Sequence, residues 1–277
     1  MGACDTFAEA DWVMVGLPYD GTCSNRPGSR FAPQAMRLAS WGLETYSPWL
    51  DRDLEDIRFF DAGELEFPLG NREASLALIN RATDETYAAG KRWLGIGGEH
   101  LVTLPTMEAV LTYYPDVVVV HFDAHGDMRE DYLGERLSHA AVLRRVVEHI
   151  GPERLSQIGI RSGPKPEFDW MRQHQTLISG WDERERLAQR IGDKPVFITL
   201  DLDALDPSIL PGTGTPEAGG LTYAELERWL HWLGQFRVIG ADVVELAPDY
   251  DPSGVSTAVA CKVVRELLLA CSGDAVA

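Results

Sequence analysis

Residues 117–127 read Val-Val-Val-Val-His-Phe-Asp-Ala-His-Gly-Asp. Four β-branched residues in succession describe a strand with no polar face, so both of its faces must be buried. That is the habit of strands in parallel sheets covered by helices. The polar residues then arrive together at the strand's end. In open α/β sheets ligands bind beyond the carboxyl ends of the strands. Asp123, His125 and Asp127 therefore stand where chemistry is expected.

The same form recurs along the chain. Further apolar runs at Trp12–Leu17, Ile57–Phe60, Trp93–Ile96, Ser156–Ile160, Thr176–Ser179, Val196–Leu200 and Val238–Ala241 read as strands. Helical patterns fall at Pro33–Gly42, Arg72–Gly90, Leu104–Tyr113, Ser138–His149, Pro166–Gln173, Tyr223–Leu233 and Val255–Ala270. This alternation predicts an α/β fold, a three-layer αβα sandwich around a mostly parallel sheet of about eight strands. There is no internal repeat, low-complexity tract or long linker. The Gly/Pro-rich segments Asn25–Gly28 and Pro211–Gly220 sit between elements as functional loops, so residues 1–277 are expected to form one domain.

Composition narrows the function. With 43 acidic against 25 basic residues the formal net charge is -18. Such a chain repels phosphate backbones, which argues against nucleic-acid binding, and its field favours cationic small molecules. The four cysteines, Cys4, Cys23, Cys261 and Cys271, form no C-x-x-C pair and suggest neither a zinc site nor a disulfide framework. The start, MGACDTFAEADW, does not read as a signal peptide. No apolar stretch reaches the roughly 18 residues of a membrane span. A reducing, cytoplasmic setting is the expectation.

Two more strand ends carry the same chemistry as the first. Gly97-Gly98-Glu99-His100 follows the Trp93–Ile96 run, and Asp201-Leu202-Asp203 follows Val196–Leu200. In an extended segment, residues two apart share a face. Asp123, His125 and Asp127 would do so, as would Asp201 and Asp203. Together with His100 they make two histidines and four aspartates. Carboxylates packed so closely repel one another unless divalent cations neutralise them. Mixed carboxylate and imidazole ligands suit manganese, with iron, nickel and cobalt compatible by ligand type. Six ligands exceed the need of one ion with open positions. Two ions about 3.5–4 Å apart, bridged by two carboxylates, would use them all. Asp201 or Asp203 alone would read as a turn residue, and His149, His174 and His231 as ordinary histidines. His121 is expected to face away from Asp123 and to serve packing. Gly95-Ile96-Gly97-Gly98 is no dinucleotide fingerprint, because His100 occupies the place of its third glycine.

These residues resemble the ureohydrolase family, which contains arginase, agmatinase, guanidinobutyrase and formiminoglutamase. The similarity runs over nearly the whole chain: Arg26-Pro-Gly-Ser-Arg-Phe-Ala-Pro33, Gly97-Gly-Glu-His100, Asp123-Ala-His125-Gly-Asp127, Asp201-Leu-Asp203-Ala-Leu-Asp-Pro207, Pro211-Gly-Thr-Gly-Thr-Pro216 and Asp242-Val-Val-Glu245-Leu-Ala-Pro248. Asp131-Tyr-Leu-Gly-Glu-Arg-Leu-Ser-His139 is similar to agmatinases rather than arginases. The resemblance implies an arginase-like fold and two Mn2+. His100, Asp123, Asp127 and Asp201 would hold one ion, and Asp123, His125, Asp201 and Asp203 the other. It implies attack by a metal-bridging hydroxide steadied by Asp127, proton transfer by His139, and a guanidinium received by Glu245. It also implies a homo-oligomer, a trimer or hexamer. Glu99, Leu101, Gly126 and Thr199 depart from the family's commoner residues, none of them at a ligand position.

The expected substrate is a small guanidino amine. Glu130, Asp131 and Glu135 would attract a distal ammonium, although Arg129 and Arg136 stand ready to pair with those acids. Agmatine, giving urea and putrescine in polyamine synthesis, comes first. N1-aminopropylagmatine, giving spermidine, follows. Carboxylate-bearing guanidino compounds come behind both. A family member that binds or regulates without turnover, and a single-zinc deacetylase of similar fold, are the alternatives of another class.

Overall fold

The computed structural model describes residues 3–273. Met1 and Gly2, where the N-terminal reading begins, lie outside them, as do residues 274–277 at the end of the expected domain. In chain order the elements are β1 (Trp12–Gly16), α1 (Ala32–Ser40), β2 (Tyr46–Ser47), β3 (Arg52–Asp53), β4 (Phe59–Glu64), α2 (Arg72–Ala88), β5 (Arg92–Ile96), α3 (Thr103–Tyr113) and β6 (Val118–Phe122). Then come α4 (Val142–Ile150), β7 (Leu155–Ile158), α5 (Lys165–Gln173), β8 (Leu177–Ile178), α6 (Arg184–Ile191), β9 (Val196–Asp201), α7 (Tyr223–Leu233), β10 (Val238–Val244) and α8 (Val255–Cys271).

Eight strands make one sheet in the order β4-β1-β5-β10-β9-β6-β7-β8, and every pairing in it is parallel. Helices cover both faces, because the strands are apolar on both. In β6, Val118, Val120 and Phe122 join one core cluster and Val119 the other. The first cluster takes Met36 from α1, Leu187 from α6, Trp229 from α7 and Leu267 from α8. The second takes Ile79 from α2, Met107 from α3, Val146 from α4 and Met171 from α5. No described helix is long and apolar enough to cross a membrane.

The sequence reading differs from the structure at the margins. Helix α6 has no counterpart in it, because its core side chains are only Leu187 and Ile191 in a segment of charges. Strand β4 runs on to Glu64, past the apolar residues that marked it, because an edge strand paired only with β1 can expose alternate side chains. The helix expected from Ser138 starts with a 3-10 turn at His139–Ala141 and becomes α-helical at Val142.

Register sets the site. Ile96, Val243, Leu200 and Phe122 align across β5, β10, β9 and β6. The residues beyond this row therefore emerge side by side on one edge. β5 approaches its neighbours closely there: a Cβ on Gly97 would lie 2.5 Å from Val244 Cγ1, and one on Gly98 would overlap the Tyr19 carbonyl. Only glycine lets the chain pass and bring His100 onto that edge.

Candidate active site

His100, Asp123, Asp127, Asp201 and Asp203 converge beyond β5, β6 and β9. The His100 Nδ1 atom lies 3.2 Å from Asp123 Oδ2, 3.3 Å from Asp127 Oδ2 and 3.5 Å from Asp201 Oδ2. It is buried and has no hydrogen bond. The other ring nitrogen explains why. His100 Nε2 is 2.8 Å from Thr199 Oγ1, and the Thr199 hydroxyl donates to Asp242 Oδ1 at 2.6 Å. With its own hydrogen spent on Asp242, Thr199 can only accept from the ring. The ring therefore carries a hydrogen on Nε2, and its neutral form presents the Nδ1 lone pair on the side of the three carboxylates. That is the posture of a metal ligand set by its outer partners. Thr199→Val is expected to weaken metal uptake about 10- to 100-fold, measured by metal titration of the apoprotein; unchanged affinity would remove this chain of bonds from the site's construction.

The second group is equally specific. His125 Nδ1 stands 3.0 Å from Asp203 Oδ2 and 3.4 Å from Asp123 Oδ1. Ligand atoms of Asp123, His125 and Asp203 all lie within 4.8 Å of one another. The unused carboxylate oxygens are held by backbone: Asp203 Oδ1 accepts from Ala124 N at 3.0 Å, and Asp201 Oδ1 from Asp203 N at 2.8 Å. Thr215 Oγ1 donates to Asp203 Oδ2 at 3.0 Å. Burial raises the Asp201 and Asp203 pKa values, with the neighbouring aspartates adding to it. Against the same burial, the facing aspartates hold the His100 pKa well above its ordinary value and push His125 up to about 12. Both trends express one need: the cluster lacks positive charge, which metal ions would supply.

Three expectations about local geometry change. The Asp123–Asp127 segment does not stay extended, since Asp127 has φ 51°. Asp203 lies in a 3-10 turn. Both still reach the centre by turning. His121 does not face away: its Nε2 lies 2.8 Å from Asp123 Oδ2, and its Nδ1 is 3.2 Å from Gln157 Nε2. Residues two apart on a strand share a face, and the expectation ran against that rule. Gln157 supplies only hydrogen at Nε2, so His121 Nδ1 accepts and Nε2 donates to Asp123. The residue orients a carboxylate and does more than pack.

A cavity of about 220 Å³ joins this cluster to the remaining site residues. His125, Asp127 and Asp201 line one side, with Glu245, His139, Ser24, Thr215, Tyr132 and Glu167 around it. Glu245 follows β10 at φ 67°, the second left-handed non-glycine residue here, a strain that surrounding structure must hold in place. Its Oε1 accepts from His100 N at 2.8 Å. His139 is buttressed by Thr22 and Ser24: its backbone N–H donates to Thr22 Oγ1 at 3.1 Å and its Nε2 is 3.0 Å from Ser24 Oγ. Burial holds the His139 pKa below its ordinary value. Glu99 anchors that loop, accepting from Thr22 N at 2.7 Å and Thr22 Oγ1 at 2.5 Å. The longer acid at position 99 thus has a structural task, and Leu101 lies in the apolar core.

Glu130 and Asp131 do not line the cavity. Glu130 is exposed and pairs with Arg144 and Arg145 of α4, while Asp131 Oδ1 caps the turn at Gly134 N, 2.9 Å away. Glu135 pairs with Arg72. Partners outside the cavity hold all three acids. Glu167, Arg129 and Tyr132 face the cavity instead. The signal for Glu167 lay in the strand-end rule, since the segment leading to it leaves the carboxyl end of β7.

A parallel αβα sandwich with clustered histidines and aspartates at its central strand ends defines a class, and comparison agrees. The arginase family model matches residues 10–270, and the chain belongs to that family of metal-dependent ureohydrolase enzymes. Within it, the chain is 47% identical to the agmatinase of Bacillus subtilis (strain 168) over 266 residues, 94% of this chain and 92% of the relative. A crystal structure from Clostridium difficile superposes with a TM-score of 0.93 at 44% identity, covering 96% of this chain and 99% of that one. The agmatine ureohydrolase of Thermoplasma volcanium superposes with a TM-score of 0.87 at 31% identity, covering 96% and 92%.

Proposed function

We propose that the protein hydrolyses the guanidinium group of agmatine to urea and putrescine with two manganese ions. The observation that carries this is the buried cavity in which Glu245 stands beside the cluster of histidines and aspartates. Two acids of its lining, Glu167 and Glu245, stand outside the proposed ligand set, which suits a cationic substrate, and relatives named for agmatine are similar in fold and sequence. His100, Asp123, Asp127 and Asp201 would hold one ion, and Asp123, His125, Asp201 and Asp203 the other, with Asp123 and Asp201 shared. When bound, the ions acidify water and offset the carboxylate charge.

The protein's own groups do the rest. Glu245 presents a carboxylate to the guanidinium N–H groups in a charge-assisted contact. Asp127 steadies the attacking water with a carboxylate oxygen. Burial holds the His139 pKa down, which suits a group that takes a proton from the site and returns it to the leaving amine. His139→Ala is expected to keep the metals and lower kcat by about 100-fold or more. A pH profile of turnover checks it, and unchanged kcat across pH would exclude His139.

The test of the whole reading is urea release by manganese-loaded protein with agmatine, N1-aminopropylagmatine, arginine and 4-guanidinobutyrate in parallel. Agmatine should be turned over best. No urea from any of them, with the metals bound, would overturn it.

A further inference from the structure

Both ring nitrogens of His139 face a hydroxyl. Its Nδ1 lies 3.4 Å from Thr22 Oγ1 and its Nε2 lies 3.0 Å from Ser24 Oγ. Thr22 spends its hydrogen on Glu99 Oε1, and its oxygen already accepts from the His139 backbone N–H. Toward the ring Thr22 can therefore only accept. With the ring hydrogen on Nε2, two lone pairs would face each other across the Thr22 contact. The neutral imidazole thus carries its hydrogen on Nδ1, and its Nε2 lone pair accepts from the Ser24 hydroxyl.

Position separates the two hydroxyls as well. Thr22 is turned inward to Glu99, which is fully buried. Ser24 is exposed and lines the cavity with Asp127 and Glu245. The loop that carries it is braced on either side: Thr22 N donates to Glu99 Oε2 at 2.7 Å, Asn25 Nδ2 to Gly214 O at 3.0 Å and Gly28 N to Asp20 Oδ2 at 2.9 Å. Ser24 Oγ is therefore a placed hydroxyl between the basic nitrogen of His139 and the space where the substrate reacts. A hydroxyl both donates and accepts, so it can pass a proton without holding a charge.

We propose that the Ser24 hydroxyl relays the proton between His139 and the reacting groups. When the amine leaves, its nitrogen takes the Ser24 hydroxyl hydrogen while Ser24 Oγ takes the Nε2 hydrogen of the protonated ring. The amine gains an N–H bond, the ring loses one, and serine exchanges one O–H bond for another. His139 ends neutral and Ser24 unchanged. The same path run in reverse carries a proton from the attacking water to Nε2. The inference rests on the reading of His139 given above and names the group through which that histidine acts.

The test compares manganese-loaded wild type, Ser24→Ala, Ser24→Thr and His139→Ala on the guanidino compound that the wild type hydrolyses best. Ser24→Ala should bind manganese normally, keep its KM and lower kcat by about 10- to 100-fold, less than His139→Ala, because a water can stand in for the hydroxyl. Imidazole added to the buffer should restore part of that kcat and leave the wild type unchanged. Ser24→Thr, which keeps the hydroxyl, should retain most of the rate. A second readout needs no turnover: nitrogen-15 NMR of the metal-free protein should place the hydrogen of the neutral His139 ring on Nδ1. Unchanged kcat in Ser24→Ala beside a low kcat in His139→Ala would overturn the relay and leave the His139 reading standing. A loss that Ser24→Thr shares and imidazole does not restore would also overturn it, by making Ser24 a structural residue. A neutral ring with its hydrogen on Nε2 would overturn it too, since Ser24 could then only accept. Unchanged kcat in His139→Ala would overturn both.

Discussion

Asp201→Ala is expected to abolish metal uptake and turnover together, lowering urea release by about 10⁴-fold or more. Asp201 reaches His100 Nδ1 with one oxygen and the Asp203 backbone N–H with the other. Its removal takes a shared ligand out of the cluster and frees the turn that aims Asp203. The apoprotein should nevertheless stay folded. Loss of the cap to Asp203 N costs about 1 kcal/mol. Against that, a buried carboxylate whose pKa is raised disappears. The sign follows from linkage: a carboxyl titrating higher in the folded state than in the unfolded one costs stability as pH rises above its unfolded value. At neutral pH the metal-free variant should therefore melt near the metal-free wild type. Metal content by elemental analysis, melting with and without manganese, and urea release check the three parts. Full occupancy with a normal rate would refute the two-metal assignment.

Glu245→Gln should reduce kcat/KM for agmatine by about 10²- to 10³-fold, the loss expected when one partner of a buried, hydrogen-bonded charge pair is neutralised. The amide can still accept the His100 N–H bond through its oxygen, so the neighbouring ligand should keep its place and manganese should still bind. The left-handed φ is a backbone matter that a side-chain amide does not alter. Bound metal with a raised KM and lowered kcat marks the guanidinium as the lost contact. Full activity in this variant would send the guanidinium elsewhere in the cavity.

The fold was legible because its signal is local. Continuous apolar runs such as Val117–Val120 and Val196–Leu200 can only be strands buried on both faces, and polar residues crowding their ends mark the sheet's working edge. The candidate ligands were found the same way. What escaped was whatever depended on partners distant in sequence. Helix α6 hid behind its charges, because only Leu187 and Ile191 needed to meet the core.

The sequence by itself determined the parallel αβα sandwich, the strand ends that matter and the histidines and aspartates gathered there, since these follow from side-chain periodicity and residue type. Only the tertiary structure decided how those groups are aimed. Thr199 fixes the His100 tautomer because β9 and β10 bring it against Asp242. His121 becomes a donor to Asp123 because Gln157 occupies its other nitrogen. Of the acids after Asp127, Glu130 pairs with arginines of α4, Asp131 caps a turn and Glu135 pairs with Arg72, while Glu167, forty residues beyond Asp127 in the chain, turns in. Charges are assigned by whichever partner lies within a few ångströms, and for these residues that distance is set by the packing of α4 and α5 on the sheet.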